Sequence, residues 1–194
     1  VSDYTKAIEL NPRFEDAYFG RGIAKGELED RLGAMADFNK AIEINPRNWE
    51  AYNNRGNAKR NLEDYRGAIA DYNKAIELNP AAWKAYNNRG VAKRGLLDDK
   101  SAITDFNKEI ELNPDYWEAY NNRANALGDA KKYRKALLDY NKAIELNPQY
   151  AKAYYNRGII RIAQNSRKGA CLDWSKAGEL GEAIAYDRIK EFCN

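Results

Sequence analysis

The 194-residue chain contains no histidine, one methionine and only two cysteines. Without histidine there is no Ser-His or Cys-His nucleophile pair, and most zinc sites lose a ligand they need. Cys171 and Cys193 lack C-x-x-C spacing and indicate neither metal binding nor thiol catalysis. No glycine-rich phosphate loop occurs, and no apolar run is long enough for a membrane span or a recognisable signal peptide. Charge is nearly balanced, with 32 basic and 29 acidic residues and a net charge of +3. That balance gives no electrostatic case for nucleic acid or for an anionic membrane. The sequence therefore reads as a non-enzyme without cofactor or metal. Because it opens on Val1, its compartment stays open, with the cytoplasm favoured.

What the chain does have is a period. Asn-Pro occurs at Asn11-Pro12, Asn45-Pro46, Asn79-Pro80, Asn113-Pro114 and Asn147-Pro148, always 34 residues apart. Aligned on these prolines, units fall at 15–48, 49–82, 83–116, 117–150 and 151–182. The third residue of each is alanine (Ala17, Ala51, Ala85, Ala119, Ala153) and the fourth is tyrosine (Tyr18, Tyr52, Tyr86, Tyr120, Tyr154). The eighth is glycine (Gly22, Gly56, Gly90, Gly158) except at Ala124. The twentieth is alanine (Ala34, Ala68, Ala102, Ala136, Ala170), and the twenty-fourth is aromatic (Phe38, Tyr72, Phe106, Tyr140, Trp174). Small residues facing aromatics at these spacings are what two antiparallel helices need when they cross closely.

On these residues the chain resembles the tetratricopeptide repeat family, over nearly its whole length. The resemblance implies an all-α fold: a right-handed superhelical α-solenoid of antiparallel helix pairs. Residues 1–14 match the second-helix segment of such a unit without a first helix before it. The chain is accordingly expected to be a fragment of a longer array, with an exposed N-terminal face that packs end to end, the basis for a possible homo-oligomer. First helices are expected to begin just after each Asn-Pro, as in Trp49 to Leu62, with the proline in the first helical turn. Residues 183–194 carry Ile184, Ala185, Ile189 and Phe192 on one stripe and read as a C-terminal capping helix and a natural end.

Arginine recurs at the seventh position (Arg21, Arg55, Arg89, Arg123, Arg157) and aspartate at the twenty-third (Asp37, Asp71, Asp105, Asp139, Asp173). In an antiparallel hairpin these meet, and they read as structural ion pairs rather than as a catalytic row. Glu109 stands where its neighbours have alanine (Ala75, Ala143); it must either loosen that joint or find a basic partner. For the cysteines, spacing favours a buried thiol at Cys171 and an unpaired one at Cys193. A helix folding back near residue 182 would instead bring the two to similar height for a disulfide. Trp49, Trp83 and Trp117 open successive first helices and are expected to bury their rings against the preceding unit's second helix.

The functional signal is an amide row. Asn54, Asn88, Asn122 and Asn156 occupy the sixth position, where the first unit has Gly20. Asn53, Asn87 and Asn121 occupy the fifth, and Asn57 and Asn125 the ninth. By resemblance these positions line a concave groove, where side-chain amides can bond the backbone of an extended peptide. A similar ladder occurs in the repeat region of the O-linked N-acetylglucosamine transferases. Bonding between helices accounts for part of the same pattern. A family clamp for chaperone tails is disfavoured: Asn57 and Asn88 match it, but Asn53, Glu118 and Asn122 stand where three cations belong. Apolar ends of the groove, Phe19 and Ile23 on one side and Tyr155, Ile159 and Ile162 on the other, are expected to pack. The sequence thus points to a scaffold binding a protein or peptide partner. Its alternatives are a self-assembly module and the targeting arm of a larger protein.

Overall fold

The structure is a computed structural model that describes residues 1–193. Among these residues there are twelve helices and no strand: α1 (Ser2–Leu10), α2 (Glu15–Glu27), α3 (Arg31–Ile44), α4 (Trp49–Asn61), α5 (Tyr65–Leu78), α6 (Trp83–Gly95), α7 (Asp99–Leu112), α8 (Trp117–Asp129), α9 (Tyr133–Leu146), α10 (Ala151–Ala163), α11 (Arg167–Glu179) and α12 (Ala185–Phe192). No described helix is long and apolar enough to cross a membrane. The chain forms two compact units, Val1–Leu97 and Asp98–Asn194. In the first, α2 pairs with α3 and α4 with α5, each second helix also packs on the next first helix, and α2, α4 and α6 touch in turn. In the second, α8–α9 and α10–α11 repeat this arrangement, α7 packs on α8, and α12 closes on α11.

The Asn-Pro pair acts between helices rather than in a first helical turn. Asn45 ends α3, and its side-chain oxygen accepts from the Arg47 N–H across Pro46 at 3.1 Å; Asn11, Asn79 and Asn147 do the same. This Asx turn holds the chain for re-entry, while the proline prevents the preceding helix from continuing. The opposite turn is equally regular. After α4, Glu63 adopts φ 62° and the Asp64 N–H returns to the Lys59 carbonyl at 3.0 Å, so Asp64 completes the end of one helix. The Asp64 carboxylate then accepts from the Gly67 N–H at 2.9 Å and caps the next. Asp30 and Asp98 cap α3 and α7 in the same way, whereas Lys132 and Ser166 leave α9 and α11 without a side-chain cap.

In the hairpins α2–α3, α4–α5 and α10–α11 the aromatic of the second helix lies on the glycine of the first, and in α8–α9 Ala124 takes the glycine's place beside Tyr140. A Cβ on Gly56 would come within 2.6 Å of the Tyr72 ring, so only a residue without one permits this approach. The paired arginine and aspartate stand beside this contact. Arg55 donates to both carboxylate oxygens of Asp71 at 2.9 and 2.5 Å, and Lys59 adds a third bond to the same carboxylate. The pairs Arg21–Asp37, Arg123–Asp139 and Arg157–Asp173 have the same bidentate geometry. Desolvation pushes the Asp37 carboxyl up, but the hydrogen bonds and charge of Arg21 and Lys25 together hold it below the ordinary value. The stability it contributes is therefore present near neutrality and lost as pH falls through its lowered pKa. Trp49 packs on the cluster of Ala75, Ala82 and Ala85, formed by its own hairpin's second helix and the start of the next first helix.

At the C-terminal end Ala185, Ile189 and Phe192 of α12 pack on Ala170, Trp174 and Ala177, with Tyr155 and Ile162 of α10 completing the cluster. Ile184 lies outside it and is half exposed. Contrary to the reading favoured by spacing, Cys171 and Cys193 are joined, with Cα atoms 5.8 Å apart and a sequence separation of 22. A loop of that length is worth about 3 kcal/mol in the chain-entropy treatment.

Glu109 finds no basic partner among the described residues. It is fully buried in α7, where the equivalent Ala41, Ala75, Ala143 and Ala177 are also buried, and neither carboxyl oxygen has a hydrogen bond. Burial, with a smaller contribution from the charge of Glu118, pushes its pKa up to about 8. The group is held neutral at pH 7, which avoids the far larger cost of an unpaired buried charge. The folded chain keeps a proton that the unfolded chain releases near 4.5, so stability falls as pH rises from 4.5 to about 8 and then levels.

Two outcomes are expected from denaturant unfolding. Wild type should lose up to about 1.4 kcal/mol per pH unit between pH 5 and pH 8 through this group, and Glu109→Gln should flatten that profile. Parallel profiles for the two proteins would show that Glu109 is not held as a neutral acid. Arg55→Ala should cost about 3–5 kcal/mol by leaving Asp71 short of its main partner, and Arg55→Lys should recover little of it.

Candidate functional site

The amide side chains predicted from sequence all stand on first helices, and the structure distributes them among three situations. Asn53 and Asn121 are 7% and 4% exposed. Each accepts a hydrogen bond from the sixth-position amide of the following repeat, Asn88 to Asn53 at 3.0 Å and Asn156 to Asn121 at 3.2 Å. These rungs tie neighbouring first helices together. They also fix the orientation of Asn88 and Asn156, whose side-chain oxygens and remaining N–H groups are not used by the rung.

Asn57 and Asn125 form the second group. The Tyr72 hydroxyl donates to the Asn57 side-chain oxygen at 2.9 Å, and Tyr140 to Asn125 at 2.6 Å. Tyr72 is completely buried, and burial raises its hydroxyl pKa strongly, so the phenol stays a donor. The sequence carries this pairing openly: where the twenty-fourth residue is Phe38 or Phe106 the ninth is Ile23 or Val91, and where it is tyrosine the ninth is asparagine. Trp174 follows the same logic with Ile159, its indole N–H donating instead to the Tyr155 carbonyl at 3.1 Å. Asn57 and Asn125 thus satisfy a buried hydroxyl with the oxygen and keep their NH2 groups for other partners.

Asn54 is the third situation. The fifth residue of the preceding repeat is Phe19, which cannot accept a hydrogen bond, and the Asn54 amide makes none among the described residues. It borders, together with Asn57 and Asn61, a pocket of about 240 Å³ in the first unit. Asn87 and Asn122 are half-buried on α6 and α8. Glu118, at one of the positions where a chaperone-tail clamp needs a cation, is engaged by the Tyr116 hydroxyl. Arg60 and Arg94 border an open depression with Tyr65 and Val91. Among the described residues no group of three metal-ligating side chains occurs.

A feature not read from sequence is the third contact of each arginine. Arg55 Nη1 donates to Asn39 of the preceding second helix at 2.7 Å, as Arg89 does to Asn73, Arg123 to Asn107 and Arg157 to Asn141; Arg21 uses Thr5. The signal was present in the asparagine that recurs two residues after Asp37, Asp71, Asp105 and Asp139.

The tyrosine–asparagine pairs should behave as units. Asn57→Leu should cost about 1–3 kcal/mol by stranding the Tyr72 hydroxyl, and the double change with Tyr72→Phe should recover most of it. A double variant as unstable as the single one would reject the pairing.

Comparison with known proteins agrees with this geometry. Family models described as tetratricopeptide repeat match residues 15–48, 49–81, 117–150 and 139–185. No curated protein sequence gives a significant match. Among solved structures, YrrB, described as a tetratricopeptide repeat protein with an unusual peptide-binding site, aligns at TM-score 0.75 and 24% identity over 96% of this chain and 97% of its own. MamA aligns at TM-score 0.75 and 25% identity over 85% of this chain and 96% of its own. A tetratricopeptide repeat protein from Parabacteroides merdae aligns at TM-score 0.73 and 26% identity over 98% of this chain and 75% of its own. Repeat-by-repeat matches over most of the chain, on hairpins built from the same small and aromatic positions, show that it belongs to the tetratricopeptide repeat family.

Proposed function

We propose that the chain, as a member of a family of protein-interaction modules, is a scaffold that binds an extended segment of a partner protein along the amide-bearing face of its first helices. The observation that carries this reading is the state of the sixth-position amides. Asn88 and Asn156 are held by rungs that leave their oxygens and one N–H uncommitted, and Asn54 is uncommitted altogether. Oriented amides of this kind can donate to and accept from a peptide backbone without reading its side chains, and fixing them beforehand lowers the ordering cost of binding. The mixed charges at the second position (Asp16, Glu50, Lys84, Glu118, Lys152) add no selection by charge of one sign. No catalytic role is proposed.

A second reading, self-association through α1, has its own observation: α1 buries no residue, and Tyr4 and Leu10 are exposed. Screening an immobilised library of internal and C-terminal peptides, with light scattering alongside, separates the two. Wild type should bind extended peptides as a monomer. The Asn54, Asn88, Asn122, Asn156→Ala variant should lose at least tenfold in affinity while keeping its helical circular dichroism. An oligomeric wild type that binds no peptide would reject the peptide-binding reading and favour α1.

A further inference from the structure

The first repeat differs from the second at three positions, and the three differences meet beside one pocket. Its fifth residue is Phe19 instead of asparagine, which leaves Asn54 without the rung that Asn88 and Asn156 make. Its ninth is Ile23, which is 38% exposed. Its twelfth is Gly26, where the next two repeats carry Arg60 and Arg94. A Cβ built on Gly26 would meet nothing nearer than Ala34 Cβ at 4.0 Å, so the missing side chain leaves open space rather than a close helix contact.

The pocket so formed, about 240 Å³, has an apolar floor of Phe38, Ala34 and Ala58, with Ile23 on one wall and the Asn54 and Asn57 amides on another. A cavity of about 150 Å³ admits a benzene ring, so one phenyl or branched aliphatic group fits here. The only charges at its mouth are Glu27 and Arg31, of opposite sign, and Arg31 is directed to the Asn61 carbonyl at 3.4 Å. An ionic side chain would therefore gain no net attraction and would lose hydration against the floor.

We infer that this pocket is a specificity site that takes one bulky apolar side chain, leucine- or phenylalanine-like, of a bound peptide, while the Asn54 amide bonds that residue's own peptide group. The inference rests on the peptide-binding reading above and narrows it. The other described repeats supply backbone contacts of low selectivity, and the first repeat sets which residue of the segment is anchored.

Gly26→Arg is the decisive variant, since it places in the first repeat the side chain that the second and third already carry and fills the space without touching an amide. Replacing a helical glycine should not lower stability. Capped amino acids, N-acetyl-leucine and N-acetyl-phenylalanine N-methylamides, serve as probes in amide NMR titrations, with the alanine and glutamate analogues as controls. The leucine and phenylalanine probes should shift Gly22, Gly26, Ala34 and the Asn54 side-chain amide, the controls should not, and Gly26→Arg should abolish the shifts. Peptides from the library should weaken at least tenfold when their anchor residue is changed to alanine, and the same peptides should weaken equally on Gly26→Arg. If peptides bind but neither Gly26→Arg nor the anchor change matters, the pocket inference falls and the groove reading stands. If the probes occupy the pocket and no extended peptide binds, the groove reading falls, and the specificity role falls with it.

Discussion

A single guanidinium per repeat joins parts that would otherwise have no reason to keep their register. In the second repeat Arg55 grips Asp71 of its own hairpin with two bonds, reaches Asn39 of the preceding second helix with a third, and lies 5.4 Å from the centre of the Tyr52 ring. One side chain thus fixes the hairpin, its neighbour and the pitch of its own helix. Lysine in its place could not span these partners, because a single ammonium lacks the planar fork. The desolvation that makes such a charge costly is met by a full set of partners, and this is why the aspartate, the asparagine and the tyrosine all recur with the arginine. The alanines and glycines around it permit the close approach; the arginine decides which approach is made.

The same economy governs the amides. An array built on repeated asparagines has to divide them between holding itself together and meeting a partner, and the division is made atom by atom. Asn53 and Asn121 are spent on rungs, Asn57 and Asn125 share themselves with buried tyrosines, and Asn54 is released because Phe19 cannot engage it. A row that looks uniform in sequence is therefore not uniform in what it can offer.

The repeat, its helix pairs and the arginine–aspartate pairing were legible in the sequence because each is a local spacing repeated many times. What escaped was information carried by exceptions or by distance. Spacing alone did not decide for the Cys171–Cys193 bond, since it depends on how α12 folds back. Glu109 could not be resolved, because a buried carboxyl without a partner survives only as a neutral acid, and sequence does not show a protonation state. The pocket beside Gly26 is made of missing side chains, and an absence becomes a shape only when its neighbours are in place.

The turn between paired helices has a further implication. Its left-handed residue is Glu29, Glu63, Lys131 or Asn165, with φ between 56° and 62°, and none is glycine. Left-handed backbone costs most residues about 1–2 kcal/mol, so these links resist the bend they make. A hairpin whose link opposes closure cannot use that link as a folding seed, and the bend must be enforced by contacts between helices already side by side. Because those contacts are shared with the adjoining repeats, a lone hairpin cut from the chain is left with the resistance and only part of the enforcement. The array is in this sense cooperative by construction: its hinges are bent by their neighbours.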